Sequence, residues 1–155
     1  MGEGRLISYQ QEFLTTVANE IAPLLKEDWE EIEHQKSRRP LNPDWEAYAN
    51  LELAGVLKIF TARDGKQLVG YASCFLLPDI HSRGIISANF EILFVTASHR
   101  NGFVGLRLMK FAEKCVKQDG AKFCFVTTTQ QNSASKMMER LGYKAIETKF
   151  EKDLM

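Results

Sequence analysis

With 155 residues, 45% of them hydrophobic and 26% charged, the chain has the size and composition of one globular domain able to bury a core. Twenty Lys and Arg balance twenty Asp and Glu, and a net charge of zero argues against nucleic acid as a partner, which needs a basic excess. The three cysteines, Cys74, Cys115 and Cys124, lie far apart in apolar segments and form no CxxC pair, so neither a disulfide framework nor a metal site is expected.

No apolar run reaches the ~18 residues of a membrane span, and the first residues lack the apolar core of a signal peptide, so we expect a cytoplasmic protein with no membrane partner. From Ser8 to about Leu25, apolar residues recur at Tyr9, Phe13, Val17, Ile21 and Leu24–Leu25. This spacing predicts an amphipathic helix capped by Ser8 and ended or kinked by Pro23. The run "KEDWEEIEHQKSRRPL" reads as a short helix entering a loop, with Lys36, Arg38 and Arg39 as solvated cations. A second helix starts at Asn42-Pro43-Asp44, with Asn42 as N-cap and Pro43 in the first helical position. It would carry Trp45, Tyr48, Ala49 and Leu53 inward and stop at Gly55.

The pattern changes at Val56. "VLKIFTAR" and "LVGYASCFLLP" read as strands joined by a turn at Asp64-Gly65, and "IISANFEILFV" as a third strand of an antiparallel meander. A helix follows with Leu108, Met109, Ala112, Cys115 and Val116 on one face, ending near Asp119-Gly120. Then come a buried strand "KFCFVTTT", a helix from Asn132 to Gly142, and a final alternating strand "YKAIETKFEKDL". The expected order is α–α–β–β–β–α–β–α–β: one α/β domain over residues 1–155 with a mixed sheet. In it "FEILFV", the next helix and "KFCFV" form a right-handed βαβ unit.

Chemistry concentrates in "HRNGFVGLRLM", His99 to Met109, where a buried strand becomes a helix. The first N–H groups of a helix and the positive end of its dipole bind anions, and glycines let a phosphate approach the backbone. Gly102 and Gly105, with Arg100 at the lip, make a pyrophosphate cradle; a glycine-containing connection without a ligand is the alternative. No Lys-Ser/Thr follows, so it is not a Walker loop, nor does it match the GxGxxG dinucleotide fingerprint.

These residues resemble the central motif of the GCN5-related N-acetyltransferase (GNAT) superfamily: Arg or Gln, two residues, Gly, one residue, then Gly or Ala. Arg100 and Gly105 fall on its first and last positions, while Phe103 occupies the middle glycine's place and Gly102 lies one residue earlier. A second motif, an asparagine and a helix ending in Leu-Gly-Phe/Tyr, is matched by "NSASKMMERLGY" from Asn132 to Tyr143. The sequence also looks like small acetyltransferase-like proteins encoded by some bacteriophages.

The resemblance implies a GNAT-like (acyl-CoA N-acyltransferase) fold, a mixed central β-sheet flanked by helices, with acetyl-CoA as co-substrate. It implies that the backbone of Leu93, Phe94 and Val95 pairs with the pantetheine arm, and that the N–H of Val95 polarises the thioester carbonyl. Arg100, Asn101, Gly102, Phe103, Val104, Gly105 and Leu106 would wrap the pyrophosphate, and Asn132 would belong to the second motif's contacts. Glu91, four residues before Val95, is the implied base, its pKa raised by an apolar strand. The alternative is that it points to solvent or pairs with Arg83. His81 and His99 are rival titrating groups that read as surface residues.

Met138 stands where many members place a proton-donating tyrosine, and Tyr143 lies on the following strand. The implied activity is direct attack by a primary amine, from a small molecule or a protein, on the acetyl group in a ternary complex. The alternative is a non-catalytic acyl-CoA-binding or protein-interaction module, which Phe103 and Met138 favour. A C-terminal edge strand leaves pairing across a homodimer open.

Overall fold

The structure, a computed structural model, describes residues 6–32, 39–128 and 134–155. Its elements run β1 (Ile7–Glu12), α1 (Leu14–Ile32), α2 (Trp45–Leu53), β2 (Leu57–Asp64), β3 (Gln67–Pro78), β4 (Ile86–Val95), α3 (Val104–Gln118), β5 (Phe123–Val126) and α4 (Ser135–Arg140). The strands lie in that order in one sheet, antiparallel as far as β4, with β5 parallel to β4.

The meander forms as the sequence pattern predicts. Gly65, at φ 61°, takes the left-handed conformation that a tight β2–β3 hairpin requires. Both strands are buried on both faces, because α3 covers one side of the sheet and α1 with α2 covers the other. On the α3 side, Leu108, Met109, Ala112 and Val116 are fully buried, and the ring of Phe60 lies 6.3 Å from those of Phe90 and Phe111. On the other side, Val17, Ile21 and Leu24 of α1 pack on Leu57, Ile59, Tyr71 and Phe94. The α3 crossover between parallel β4 and β5 is the predicted βαβ unit. No helix among the described residues is long and apolar enough to cross a membrane.

Several elements differ from the sequence reading. Residues 7–12 are a strand rather than the first turns of a helix. Ile7 and Tyr9 turn inward and Ser8 and Gln10 face solvent, while the free edge of β2 pairs with all of them. A spacing compatible with either period is thus decided by tertiary pairing. Charge locks the pairing: Arg63 on β2 donates from Nε to Glu12 at 2.9 Å and from Nη1 to Glu20 of α1 at 2.7 Å. The Thr61 hydroxyl also donates to the Glu12 carboxylate.

Accordingly α1 begins at Leu14 and continues through Pro23 to Ile32, merging two predicted helices. Proline removes one N–H from the ladder, yet the buried stripe on both sides of it keeps the helix on the sheet. The N-cap of α2 is Asp44 and not Asn42, its carboxylate accepting from the Ala47 N–H at 2.9 Å. Tyr48 and Ala49 turn partly inward, but Trp45 and Leu53 are exposed. β5 is short, with Phe123 and Phe125 exposed instead of buried. The predicted final strand does not form: residues 143–155 have no regular structure, and Ile146 and Phe150 are exposed. Alternation without a partner strand supplies no ladder hydrogen bonds. Asn132, the predicted start of α4, lies outside the described residues, as do Lys36 and Arg38; Arg39 pairs with Glu151 at 2.9 Å. The mixed five-stranded sheet between helices is nevertheless the predicted fold class.

Arg63 is nine-tenths buried, and removing it leaves the Glu12 carboxylate without its cation. Arg63→Met should cost about 3 kcal/mol in urea unfolding. An unchanged midpoint would show that the ion pairs do not hold β1 in place.

Candidate functional site

β4 changes alignment at Glu91. On its β3 side Ser73 pairs with Ile92 and Cys74 with Phe90, so Glu91 is left over as a bulge. The extra residue reverses the faces. Ala88 and Phe90 pack with α3, Ile92 and Phe94 pack with α1, and Leu93 and Val95 return to the α3 side. On its other side β4 pairs with β5 only from Ser87 to Phe90, so its edge is free of β5 from Glu91 to Val95. The Thr96 N–H bonds the Val69 carbonyl at 2.8 Å, and strand alternation therefore turns the N–H and carbonyl of Val95 toward that free edge. Opposite Val95 is Gly70, where a Cβ would come within 2.9 Å of the Phe94 carbonyl; glycine permits this close approach of β3 and β4.

The free edge, the connection after β4 and the start of α3 enclose a cleft of about 320 Å³. Of the predicted coenzyme residues it brings together Leu93, Val95, Arg100, Gly102, Phe103, Gly105 and Leu106. Phe94 is buried on the opposite face under α1, Val104 is buried beneath the helix start, and Asn101 is exposed outside the lining. Asn132 lies outside the described residues. The far wall is Ala134, Met137 and Arg140. Sequence reasoning missed Arg140; its i, i+3 spacing from Met137 puts both on one helix face, a signal that was available.

The first intrahelical bond of α3 runs from the Arg107 N–H to the Phe103 carbonyl, so the N–H groups of Val104, Gly105 and Leu106 are left over beside the cleft. Phe103 is the N-cap residue, its ring exposed and 6.0 Å from the Arg107 guanidinium, so it stands in the glycine's place without disturbing the helix start.

Arg100 is drawn two ways. Its Nε donates to the Val95 carbonyl at 2.7 Å, and Nη2 donates to both carboxylate oxygens of Glu31 on α1, at 3.0 and 2.8 Å. The guanidinium lies 5.2 Å from the centre of the Phe94 ring. Beyond it, Asp28 is buried on the stripe that carries Val17, Ile21 and Leu24. No hydrogen bond or ion pair holds its carboxylate among the described residues. Burial pushes that carboxyl up to about 6, Glu31 adding to the rise and Arg100 opposing it. The hydroxyl of Tyr71, fully buried on β3, has no hydrogen-bond partner, and burial and then the Asp28 charge raise its pKa. The signal for Asp28 was legible, since positions 17, 21, 24 and 28 keep one helical face. Splitting α1 into two helices concealed it.

The remaining candidates are placed as follows. The Glu91 side chain is exposed, so the apolar surroundings expected around it are absent: β5 is too short to cover this part of β4. No ion pair joins it to Arg83 among the described residues. His81 is exposed as expected. His99 is not a free surface residue; its Nε2 lies 3.0 Å from Asp64 Oδ2 and its Nδ1 2.9 Å from the Ser98 hydroxyl, tying the turn to the β2–β3 hairpin. Met138 is buried in the α3 core, and it is Met137 that reaches the cleft. The Tyr143 hydroxyl donates to Glu113 at 3.0 Å, and no tyrosine lines the cleft among the described residues.

Asp28 makes a stability test. Its folded pKa is raised above the ordinary 3.8, so between the two values the folded chain keeps a proton that the unfolded chain has lost. Stability therefore falls as pH rises through that window, and the ionised group is a standing cost above it. Asp28→Asn should raise the melting temperature at about pH 7.5, with the gain shrinking toward about pH 4. A lower melting temperature for the variant at the higher pH would contradict this.

No curated protein matches the sequence. Among solved structures, the chain is similar to the aminoglycoside N-acetyltransferase AAC(6')-Iy in complex with CoA: 21% identity, TM-score 0.75, with 100% of this chain and 99% of that one covered. It is similar to the aminoglycoside acetyltransferase meta-AAC0020 from an uncultured soil metagenomic sample, in complex with sisomicin: 15% identity, TM-score 0.76, 96% and 97% covered. A third is a ribosomal-protein-alanine N-acetyltransferase from Brucella melitensis biovar Abortus 2308, at 17% identity, TM-score 0.75, 96% and 99% covered. These matches share the fold and lend no support to the phage resemblance. A family profile described as an acetyltransferase (GNAT) domain matches residues 28–155, from the buried Asp28 through the cleft to the last residue. The chain belongs to the GNAT acetyltransferase-domain family.

Proposed function

We propose that the protein is an acetyl-CoA-dependent N-acetyltransferase whose acceptor is a primary amine, attacking directly while both substrates are bound. One observation carries the reading: the free backbone edge at Leu93 and Val95 and the N-terminus of α3 share one cleft. The edge offers hydrogen bonds to an amide-bearing arm, and the helix start offers an anion site to the phosphates at its end. These residues fit the coenzyme. When bound, acetyl-CoA supplies an activated thioester whose acetyl group passes to the amine nitrogen as the thiol leaves.

The N–H groups of Val104, Gly105 and Leu106 hold phosphate oxygens, and Arg140 adds a cation from the opposite wall. The Val95 N–H, aimed at the free edge, donates to the thioester oxygen as charge builds there. Glu91, exposed on the bulge, takes the ammonium proton directly or through water. Because Met138 is in the core and no tyrosine lines the cleft among the described residues, water protonates the thiolate, a tolerable leaving group at a thiol pKa of ~8.5. Relatives of this fold include acetyltransferases for aminoglycosides and for a ribosomal protein, and an amine-bearing small molecule is the acceptor class we favour.

A second reading, coenzyme binding without turnover, is favoured by the hold of Arg100 on the Val95 carbonyl, which occupies the edge the arm must use. Calorimetry with acetyl-CoA, followed by thiol release with a panel of amines that includes sisomicin and lysine peptides, separates the two. Binding with release by at least one amine is the expected result. Binding without release supports the second reading, and no binding contradicts both.

Leu106→Glu places an acid in the first turn of α3, where it suits the helix dipole but repels phosphate. It should keep its melting temperature and lose more than about tenfold in coenzyme affinity. An affinity equal to the parent's would remove the phosphates from this helix start. Glu91→Gln should abolish turnover and leave coenzyme binding intact; unchanged turnover would remove Glu91 from its role.

A further inference from the structure

We propose that Asp28 and Glu31 of α1, together with Tyr71 of β3, form the subsite for the acceptor's ammonium group, and that Arg100 occupies it until coenzyme phosphates draw the guanidinium away. The inference rests on the acetyltransferase reading and deepens it.

Two polar groups in this region have no hydrogen-bond partner among the described residues, and one of them, the Tyr71 hydroxyl, is sealed from solvent. Asp28 is 8% exposed with no hydrogen bond or ion pair among the described residues, and the Tyr71 hydroxyl, on a residue 1% exposed, has none. They lie close enough for the Asp28 charge to act on the hydroxyl. A sealed hydroxyl without a partner, beside a carboxylate that burial desolvates, carries a cost that a cationic ligand lowers.

A cation is already seated next to them. The Arg100 guanidinium bonds both oxygens of Glu31, lies over the Phe94 ring and bears on the Asp28 carboxyl. A carboxylate beside an aromatic face is what an alkylammonium group needs. The same guanidinium donates to the Val95 carbonyl, so Glu31 stands one guanidinium's width from the residue proposed to polarise the thioester. An amine in the place of Arg100 therefore sits beside the reacting carbonyl.

Arg100 can leave. The side chains of Arg100 and Glu31 are 41% and 44% exposed, and such pairs are weak and exchangeable. Arg100 also lines the cleft together with Gly105 and Leu106 at the start of α3. Its departure frees the Val95 carbonyl for the coenzyme arm and leaves Glu31 and Asp28 facing the space without a cation. The charged and titratable groups facing Asp28 are Glu31 from its own helix, Arg100 from the β4–α3 connection and Tyr71 from β3. By linkage, coenzyme and amine then raise each other's affinity.

The test uses the full chain, with CoA and spermidine as probes in calorimetry. Glu31→Gln, a surface change, releases Arg100 and should tighten CoA binding about threefold. Spermidine should bind more tightly with CoA present than without it, and both Asp28→Asn and Glu31→Gln should weaken that binding about tenfold. If Glu31→Gln leaves CoA affinity unchanged or weaker, or spermidine binding ignores both substitutions, the subsite is overturned while the acetyltransferase reading stands. If the parent chain does not bind CoA, both fall together.

Discussion

Between Phe90 and Glu91, β4 loses its β5 partner on one side and acquires an unpaired residue against β3 on the other. A strand edge with unused N–H and carbonyl groups is normally paired or covered, because it invites unwanted partners. Here it is kept free by the shortness of β5, walled by Met137 and Arg140, and capped at one carbonyl by Arg100. The bulge also turns Leu93 and Val95 toward the α3 side, which brings the free edge and the helix N-terminus into one cleft. Without that reversal Ile92 and Phe94, rather than Leu93 and Val95, would face the cleft.

The sheet must be rigid for so small a displacement to matter. Arg63 ties β1, β2 and α1 together through Glu12 and Glu20, and His99 ties the turn after β4 to the β2–β3 hairpin through Asp64. Both clamps flank the site without lining it. Arg100 is bonded at once to β4 and α1, and the Asp28 carboxyl and the partnerless Tyr71 hydroxyl lie near it. A sealed hydroxyl without a partner calls for a physical reason, and a ligand that completes it is one.

What the sequence disclosed depends on whether local pattern or tertiary partner decides each element. The α3 stripe from Leu108 to Val116 and the turn at Gly65 are set locally, and both were legible. The opening segment was not, since Tyr9 suits a helix or a strand and only the edge of β2 decides. The alternation in residues 143–155 misled for the converse reason, a strand pattern with no partner. In the site, the glycine and arginine turn pointed to the cleft, because an anion-binding helix start has a local signature. The exposure of Glu91, the burial of Met138 and the second hold on Arg100 were hidden, since each depends on what a distant segment covers. Asp28 lies between these cases: its helical spacing is local, but its isolation is not.

The central claim is that the free edge of β4 and the first turn of α3 act as one binding surface. Amide chemical shifts followed by NMR during a CoA titration test it most directly. The account predicts that the amides of Leu93, Val95, Val104, Gly105 and Leu106 shift together along one saturating curve, with those of β1 and the β2–β3 hairpin still. Shifts confined to other surfaces, or at α3 without β4, would contradict it.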